Sequence, residues 1–213
     1  MIKGYIIDMD GTMLDSMELW DNIAILLLQK YGITADKNIK QILDPLSINE
    51  ALIYLKEKYH FTDSISKMHD DLLNILEFQY LNNVNLKPGV KTFMNQCILQ
   101  NKKLCLLTAN YRNLTVKILS RHNLIKYFDQ IITCDDTSLT KQNGDIYKYA
   151  SQALNLNINE CIVIEDALHA IKAAKQANFT VWAVGDQSNI NSWSKIKKIS
   201  DSYYQDIGSM EVL

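Results

Sequence analysis

Short apolar runs rich in β-branched residues recur along this chain and narrow the folds open to it. They are Tyr5-Ile6-Ile7, Leu104-Cys105-Leu106-Leu107, Ile131-Ile132-Thr133, Cys161-Ile162-Val163-Ile164 and Val181-Trp182-Ala183-Val184. Unbroken runs of this length suit strands covered on both faces, as in a parallel sheet. Helical spacing precedes each of the later runs, near residues 90–100, 114–121, 146–154 and 168–177. Strand–helix alternation predicts an α/β fold, a doubly wound (Rossmann-like) parallel sheet with right-handed crossovers. With only 7 Gly and 2 Pro in 213 residues, long helices are favoured over a β-sandwich or a disordered chain. Pro88-Gly89 fits the opening of the first of these helices, because proline is tolerated in a first helical turn.

Residues 15–83 break the alternation. They contain no strand-like run, and Ile23, Leu26 and Leu27 fall at helical spacing. Ser47-Ile48-Asn49-Glu50 has the pattern of a capping box, followed by Leu52, Ile53 and Leu55. Leu72, Leu73, Leu76 and Tyr80 mark a further helix. So long a crossover exceeds any ordinary loop. It predicts an inserted α-helical cap domain over 15–83, sitting over an α/β core built from 1–14 and 84–213.

The formal net charge is −2, which supplies no global field for nucleic acid or an anionic membrane. The basic run Lys195-Ile196-Lys197-Lys198 reads as a solvated helix face. Cys97, Cys105, Cys134 and Cys161 form no C-x-x-C pair and no metal-ligand spacing, which points to a reducing compartment. The apolar run before Asp8 is too short for a signal peptide, and no other run is long enough to span a bilayer. The cytoplasm is the expected location.

In an open α/β sheet, ligands bind outside the carboxyl ends of the strands, so the residues ending each predicted strand carry the functional information. The first run ends in Asp8-Met9-Asp10-Gly11-Thr12, the second in Thr108-Ala109-Asn110 and the fourth in Glu165-Asp166, while Lys141 follows the third. Carboxylates converging on one edge repel one another unless a cation joins them. Mg²⁺, which takes a few carboxylates together with a substrate phosphate, suits such a set. A lysine and a threonine hydroxyl supply the charge and hydrogen bonds that the other phosphate oxygens need. Phosphoryl transfer asks mainly for positioning and charge neutralisation, and a carboxylate nucleophile divides it into two steps through an acyl phosphate.

Asp8-Met9-Asp10-Gly11-Thr12-Met13-Leu14-Asp15-Ser16 resembles the first motif of the haloacid dehalogenase-like superfamily. Thr108, Lys141 and Glu165-Asp166 resemble its second, third and fourth motifs, in the same order. The helical insertion lies where the β-phosphoglucomutase-like branch carries its cap. The resemblance implies that Asp8 is the nucleophile and Asp10 the general acid and then base. It implies that Thr108 and Lys141, with backbone amides near Ala109 and Asn110, hold the phosphoryl oxygens. Mg²⁺ would be bound by Asp8, the backbone carbonyl of Asp10, and Asp166, with Glu165 either joining them or standing just behind. Trp20 and Tyr111 are candidates for contact with the substrate, a small phosphorylated metabolite.

This chain departs from the family pattern in two places. Lys141-Gln142-Asn143-Gly144-Asp145 stands where Lys-Pro-x-Pro is common, and Glu165-Asp166-Ala167-Leu168-His169-Ala170 where Glu-Asp-Ser-x-x-Gly is common. Ala167 lacks a hydroxyl, and Ala170 is expected to shift the following helix slightly. Neither change removes a charged group. A phosphatase is the expected activity, with a sugar phosphomutase as the alternative. Mutases resembling this chain carry a cap histidine and a cap arginine, but the aligned positions are Trp20 and Ile48, and 15–83 holds no arginine. An inactive binding protein on this scaffold would lack Asp8, Asp10 or Lys141. A dehalogenase would need neither Asp10 nor a metal site.

Overall fold

The computed structural model describes residues 1–213. The chain forms β1 (Gly4–Ile7), α1 (Met17–Lys30), α2 (Ile39–Leu43), α3 (Ile48–Tyr59), α4 (Ile65–Asn82), α5 (Val90–Leu99), β2 (Lys103–Thr108) and α6 (Arg112–Arg121). There follow β3 (Gln130–Thr133), α7 (Asp145–Ala153), β4 (Cys161–Glu165), α8 (Leu168–Gln176), β5 (Thr180–Val184), α9 (Trp193–Ile199) and β6 (Ser202–Tyr204). It divides into two compact units, one of Met1–Met17 with Asn85–Leu213 and one of Glu18–Val84.

In the first unit, all six strands join one sheet in the order β3-β2-β1-β4-β5-β6, and every pairing is parallel. This is the doubly wound α/β fold that the alternation predicts. Every residue of β1 and β4 is buried, which explains why their runs show no polar alternation. On one face Ile6, Val163 and Val181 pack with Ile146, Tyr147, Ile171 and Phe179. Strand order reverses beside β1, which pairs with β2 on one side and β4 on the other. The topological switch point of the sheet therefore lies at the carboxyl ends of β1 and β4, where such folds bind ligands.

The second unit is helical. The Ser47 hydroxyl accepts the Glu50 N–H at 3.3 Å while the Glu50 carboxylate accepts the Ser47 N–H at 2.8 Å, so the capping box opens α3 as its pattern predicts. Leu27, Leu52, Leu55, Leu76 and Tyr80 are buried. Asp71 is buried on α4, and it accepts hydrogen bonds from Lys30 (2.6 Å), Lys67 (2.5 Å) and Tyr31 (2.8 Å).

The helices α2 and α9 and the strand β6 carry weak sequence signals. β6 spans only three residues, none of them buried, and α9 buries Ile196 alone while its lysines face solvent. The cysteines are free thiols. No helix is long and apolar enough to cross a membrane.

Candidate active site

The site begins where β1 stops. The Asp8 N–H donates to the Ile164 carbonyl at 3.0 Å, the last bond tying β1 to β4 before the chains diverge. The backbone then folds back sharply: Met13 and Leu14 both donate to the Met9 carbonyl at 2.9 Å, and Gly11 donates to that of Leu14 at 3.0 Å. Gly11 takes φ +80°, and a Cβ there would lie 2.5 Å from Oδ2 of Asp166. Backbone conformation and the closeness of the β4 carboxylate both demand glycine at this point.

The turn leaves Asp8 buried and Asp10 partly exposed. The Ser16 hydroxyl donates to Oδ1 of Asp10 at 2.7 Å, and the Asn110 side-chain amide donates to its Oδ2 at 3.0 Å. Asn110 reaches Asp10 because β2 runs beside β1 in the same direction. Its own N–H bonds Oγ1 of Thr108 at 3.1 Å, so the buried Thr108 lies within the same turn. Ala109 between them is exposed.

Lys141 arrives from the loop before α7. Its ammonium donates to Oδ1 of Asp8, and to Oε1 of Glu165 at 2.6 Å. The loop holds its course without prolines: Asn143 donates from its N–H to the Thr140 carbonyl and accepts the Asp145 N–H on its side chain, both at 3.0 Å. Glu165 is saturated. Its Oε1 also accepts the Tyr147 hydroxyl at 3.4 Å, and its Oε2 accepts the N–H groups of Asp166 and Ala167 at 3.0 and 3.2 Å. Asp166 is less engaged, its Oδ1 accepting the Thr12 hydroxyl at 3.2 Å.

Asp8, Glu165 and Asp166 each present a carboxylate oxygen within 4.8 Å of the others. Burial raises the Asp8 carboxyl, with Lys141 opposing the rise and Glu165 adding to it. Burial also lifts Asp166 well above the ordinary carboxylate range, reinforced by the charges of Glu165 and Asp8. For Lys141, burial works against the charge, but Asp8 and Glu165 outweigh it and hold the ammonium protonated. These opposing pressures are those of a negative site short of positive charge. An all-oxygen donor set of this kind fits a hard divalent cation, which would relieve the repulsion that raises Asp8 and Asp166. The Asp10 carboxylate stands outside the cluster.

The structure thus brings Asp8, Asp10, Thr108, Asn110, Lys141, Glu165 and Asp166 to one edge of the sheet. Tyr111 sits at the N-terminus of α6, with its N–H on the Asn110 side chain at 2.8 Å. Trp20 belongs to the helical unit, where its indole N–H donates to the Tyr80 hydroxyl at 2.8 Å and its ring lines a cavity of about 250 Å³. Sequence reading assigns no site role to Thr12, Ser16 or Tyr147, nor to Lys87, Asp186 and Asn189. Thr12 and Ser16 lie inside the first motif and could have been flagged there. Tyr147, two residues into α7, and Lys87, just before Pro88-Gly89, carry no local signal.

Comparison with known proteins identifies the family. Residues 5–184 match the family model for haloacid dehalogenase-like hydrolases. The chain is 26% identical over 180 residues to a phosphorylated carbohydrates phosphatase of Thermotoga maritima, covering 83% of this chain and 82% of that protein. It is 26% identical over 191 residues to the β-phosphoglucomutase of Bacillus subtilis, covering 86% and 84%. The crystal structure of CbbY from Rhodobacter sphaeroides in complex with phosphate superposes with a TM-score of 0.80 at 17% identity, covering 98% of this chain and 96% of that one. With the family model spanning most of the sequence and the fold shared throughout, this chain is an enzyme of the haloacid dehalogenase-like hydrolase family.

Proposed function

We propose that this enzyme is a Mg²⁺-dependent phosphatase that hydrolyses a small phosphate monoester, of the sugar phosphate or nucleotide class, through a phosphorylated Asp8. The observation that carries this reading is the buried cluster of Asp8, Glu165 and Asp166 with the Lys141 ammonium against Asp8. A bound Mg²⁺ supplies positive charge between the nucleophilic carboxylate and the anionic ester. Asp8 and Asp166, with the backbone carbonyl of Asp10, would hold the ion. The Glu165 oxygens already accept Lys141, Tyr147 and two backbone N–H groups. That favours Glu165 as the group orienting Lys141 and Asp166, a role of the kind that outer carboxylates serve at metal sites.

In the first step an Asp8 oxygen attacks phosphorus, the ester P–O bond breaks, and Asp10 gives its proton to the departing oxygen. Thr108, Lys141 and the amides near Ala109 and Asn110 hold the phosphoryl oxygens. In the second step Asp10 takes a proton from water, which attacks phosphorus and breaks the bond to Asp8. Inorganic phosphate leaves and both aspartates are restored. We assign the helical unit, Glu18–Val84, the role of cap: within the core unit the Asp15 N–H donates to the Asn85 carbonyl at 3.0 Å, which pairs the two chain segments that lead to and from the insertion. The likeness to phosphatases of phosphorylated carbohydrates supports a sugar-phosphate substrate, and the unpaired cysteines support a cytoplasmic setting.

The likeness to the Bacillus subtilis β-phosphoglucomutase supports a second reading, transfer of the phosphoryl group back to sugar. Residues 15–83 contain no arginine to grip a second phosphate, which favours water as the acceptor. The purified protein is expected to release phosphate from p-nitrophenyl phosphate or a sugar phosphate with MgCl₂, and to stop in chelator. Full activity in Asp8→Asn would sink the nucleophile assignment. With β-glucose 1-phosphate, free phosphate is expected to outpace glucose 6-phosphate, and the reverse ratio would make the enzyme a mutase.

A further inference from the structure

Lys87 is a buried lysine that the reaction above does not use. It precedes α5, and its side chain is only 9% exposed. All three ammonium donors are occupied: one on the Gly11 carbonyl, one on the Gly185 carbonyl at 3.1 Å, and one on Oδ2 of Asp186 at 2.6 Å. Its backbone N–H also bonds the Met13 carbonyl, at 2.8 Å. Lys87 therefore grips the turn after Asp10 from main chain and side chain at once.

Asp186 is held in turn. Its Oδ1 accepts the Ser188 N–H at 2.9 Å and the Ser188 hydroxyl at 2.7 Å, and its N–H donates to the Asn189 side chain at 3.2 Å. The Asn189 amide completes the connection, donating to the Asp166 carbonyl at 2.9 Å and the Val184 carbonyl at 3.2 Å. One loop after β5, with no group in the chemistry, thus holds the Gly11 turn through Lys87 and the Asp166 backbone through Asn189. These are the two segments that bring Oδ2 of Asp166 against Gly11. A buried ion pair seldom adds stability over well-packed apolar side chains, and its best-attested use is to fix one arrangement.

We propose that Lys87, Asp186 and Asn189 are positioning residues that brace the β1 turn against the β4 end and so set the spacing of the cation-binding carboxylates. This rests on the cation site proposed above. Outer hydrogen bonds of this kind typically govern metal affinity by about tenfold or more.

The test uses three variants of the full chain. Lys87→Met removes the grip on Gly11 and Asp186. The double variant Lys87→Met/Asp186→Asn does the same without leaving an unpaired buried charge, should the single variant fail to fold. Asn189→Ala removes the hold on the Asp166 and Val184 carbonyls and on the Asp186 N–H, while leaving the Lys87–Asp186 pair in place. Calorimetric titration with MgCl₂ alone, well below each melting temperature, is expected to give a dissociation constant raised about tenfold in the double variant and in Asn189→Ala. Turnover of p-nitrophenyl phosphate should fall even at saturating Mg²⁺. A folded variant with wild-type Mg²⁺ affinity and turnover, whatever its melting temperature, overturns the brace. If the wild type binds Mg²⁺ but releases no phosphate from any ester, the phosphatase reading fails while calorimetry still decides the brace. A wild type that binds no Mg²⁺ overturns both.

Discussion

The buried Ser16 hydroxyl donates a 2.7 Å hydrogen bond to Oδ1 of Asp10, joining the segment before α1 to the proposed acid–base group. Asn110 holds the other oxygen from β2's end. Ser16→Ala frees one side of the carboxylate. A hydrogen bond to a charged group contributes about 1.5 kcal/mol, so kcat is expected to fall about tenfold. The Asp10 carboxylate lies outside the acidic cluster, so the Mg²⁺ dependence should hardly move. Steady-state kinetics at several Mg²⁺ concentrations check this, and an unchanged kcat would remove Ser16 from the positioning of Asp10.

Lys141 is the single ammonium paired directly with both Asp8 and Glu165. Lys141→Met strands two buried carboxylates, a loss that typically costs about 3–5 kcal/mol. The melting temperature is expected to fall most in chelator, and added MgCl₂ should stabilise the variant more than the wild type, because a cation restores the missing charge. Equal Mg²⁺ shifts in the two proteins would contradict a shared electrostatic site. Phosphate release should be nearly abolished.

Gly11→Ala imposes two penalties. The positive φ costs a side chain about 1–2 kcal/mol, and the new methyl would stand 2.5 Å from Oδ2 of Asp166. Denaturant unfolding should show a loss of at least that size. Mg²⁺ binding should weaken too, since Asp166 must move. A stable variant with native metal affinity would mean that the turn relaxes freely.

The helical unit is expected to lose stability in acid through Asp71. Burial disfavours its charge, but hydrogen bonds from Lys30, Lys67 and Tyr31 outweigh burial and depress its carboxyl. A depressed carboxyl contributes stability that is complete above its ordinary value of 3.8 and is lost as the pH falls through the folded-state value. Asp71→Asn should therefore be less stable than wild type by about 1–2 kcal/mol near neutrality, with the gap closing below about pH 4. A gap that stays constant down to about pH 2 would show that packing, not charge, makes the difference.

The helical insertion was legible because Ser47 and Glu50 announce α3 locally and because residues 15–83 lack any strand-like run. The weaker elements were not. β6 has no buried residue to create an apolar run. Thr108 accepts the Asn110 N–H within the site, and α6 starts only at Arg112, a local arrangement that the residue types around them do not announce. Asp8, Thr108 and Glu165-Asp166 could be read because each sits at or just past the end of a strand, a position set by local periodicity, whereas Lys141, in the loop before α7, was legible only from its place in the order of the motifs. Lys87, Tyr147 and Asn189 could not, since nothing adjacent to them in the chain distinguishes them from surface or core residues.

The sequence by itself determined the alternating elements, the doubly wound class and the presence of Asp8, Asp10, Thr108, Glu165 and Asp166 at the strand ends, with Lys141 in the loop after the third strand. Those depend on residue type and short-range spacing. Only the tertiary structure decided that Lys141 bridges Asp8, 133 residues away, and Glu165, that both Glu165 oxygens are saturated, and that Lys87 reaches across 99 residues to Asp186. Such pairings follow from strand order and from contacts set to within a few tenths of an ångström, which emerge when separate segments pack and are written in no one of them.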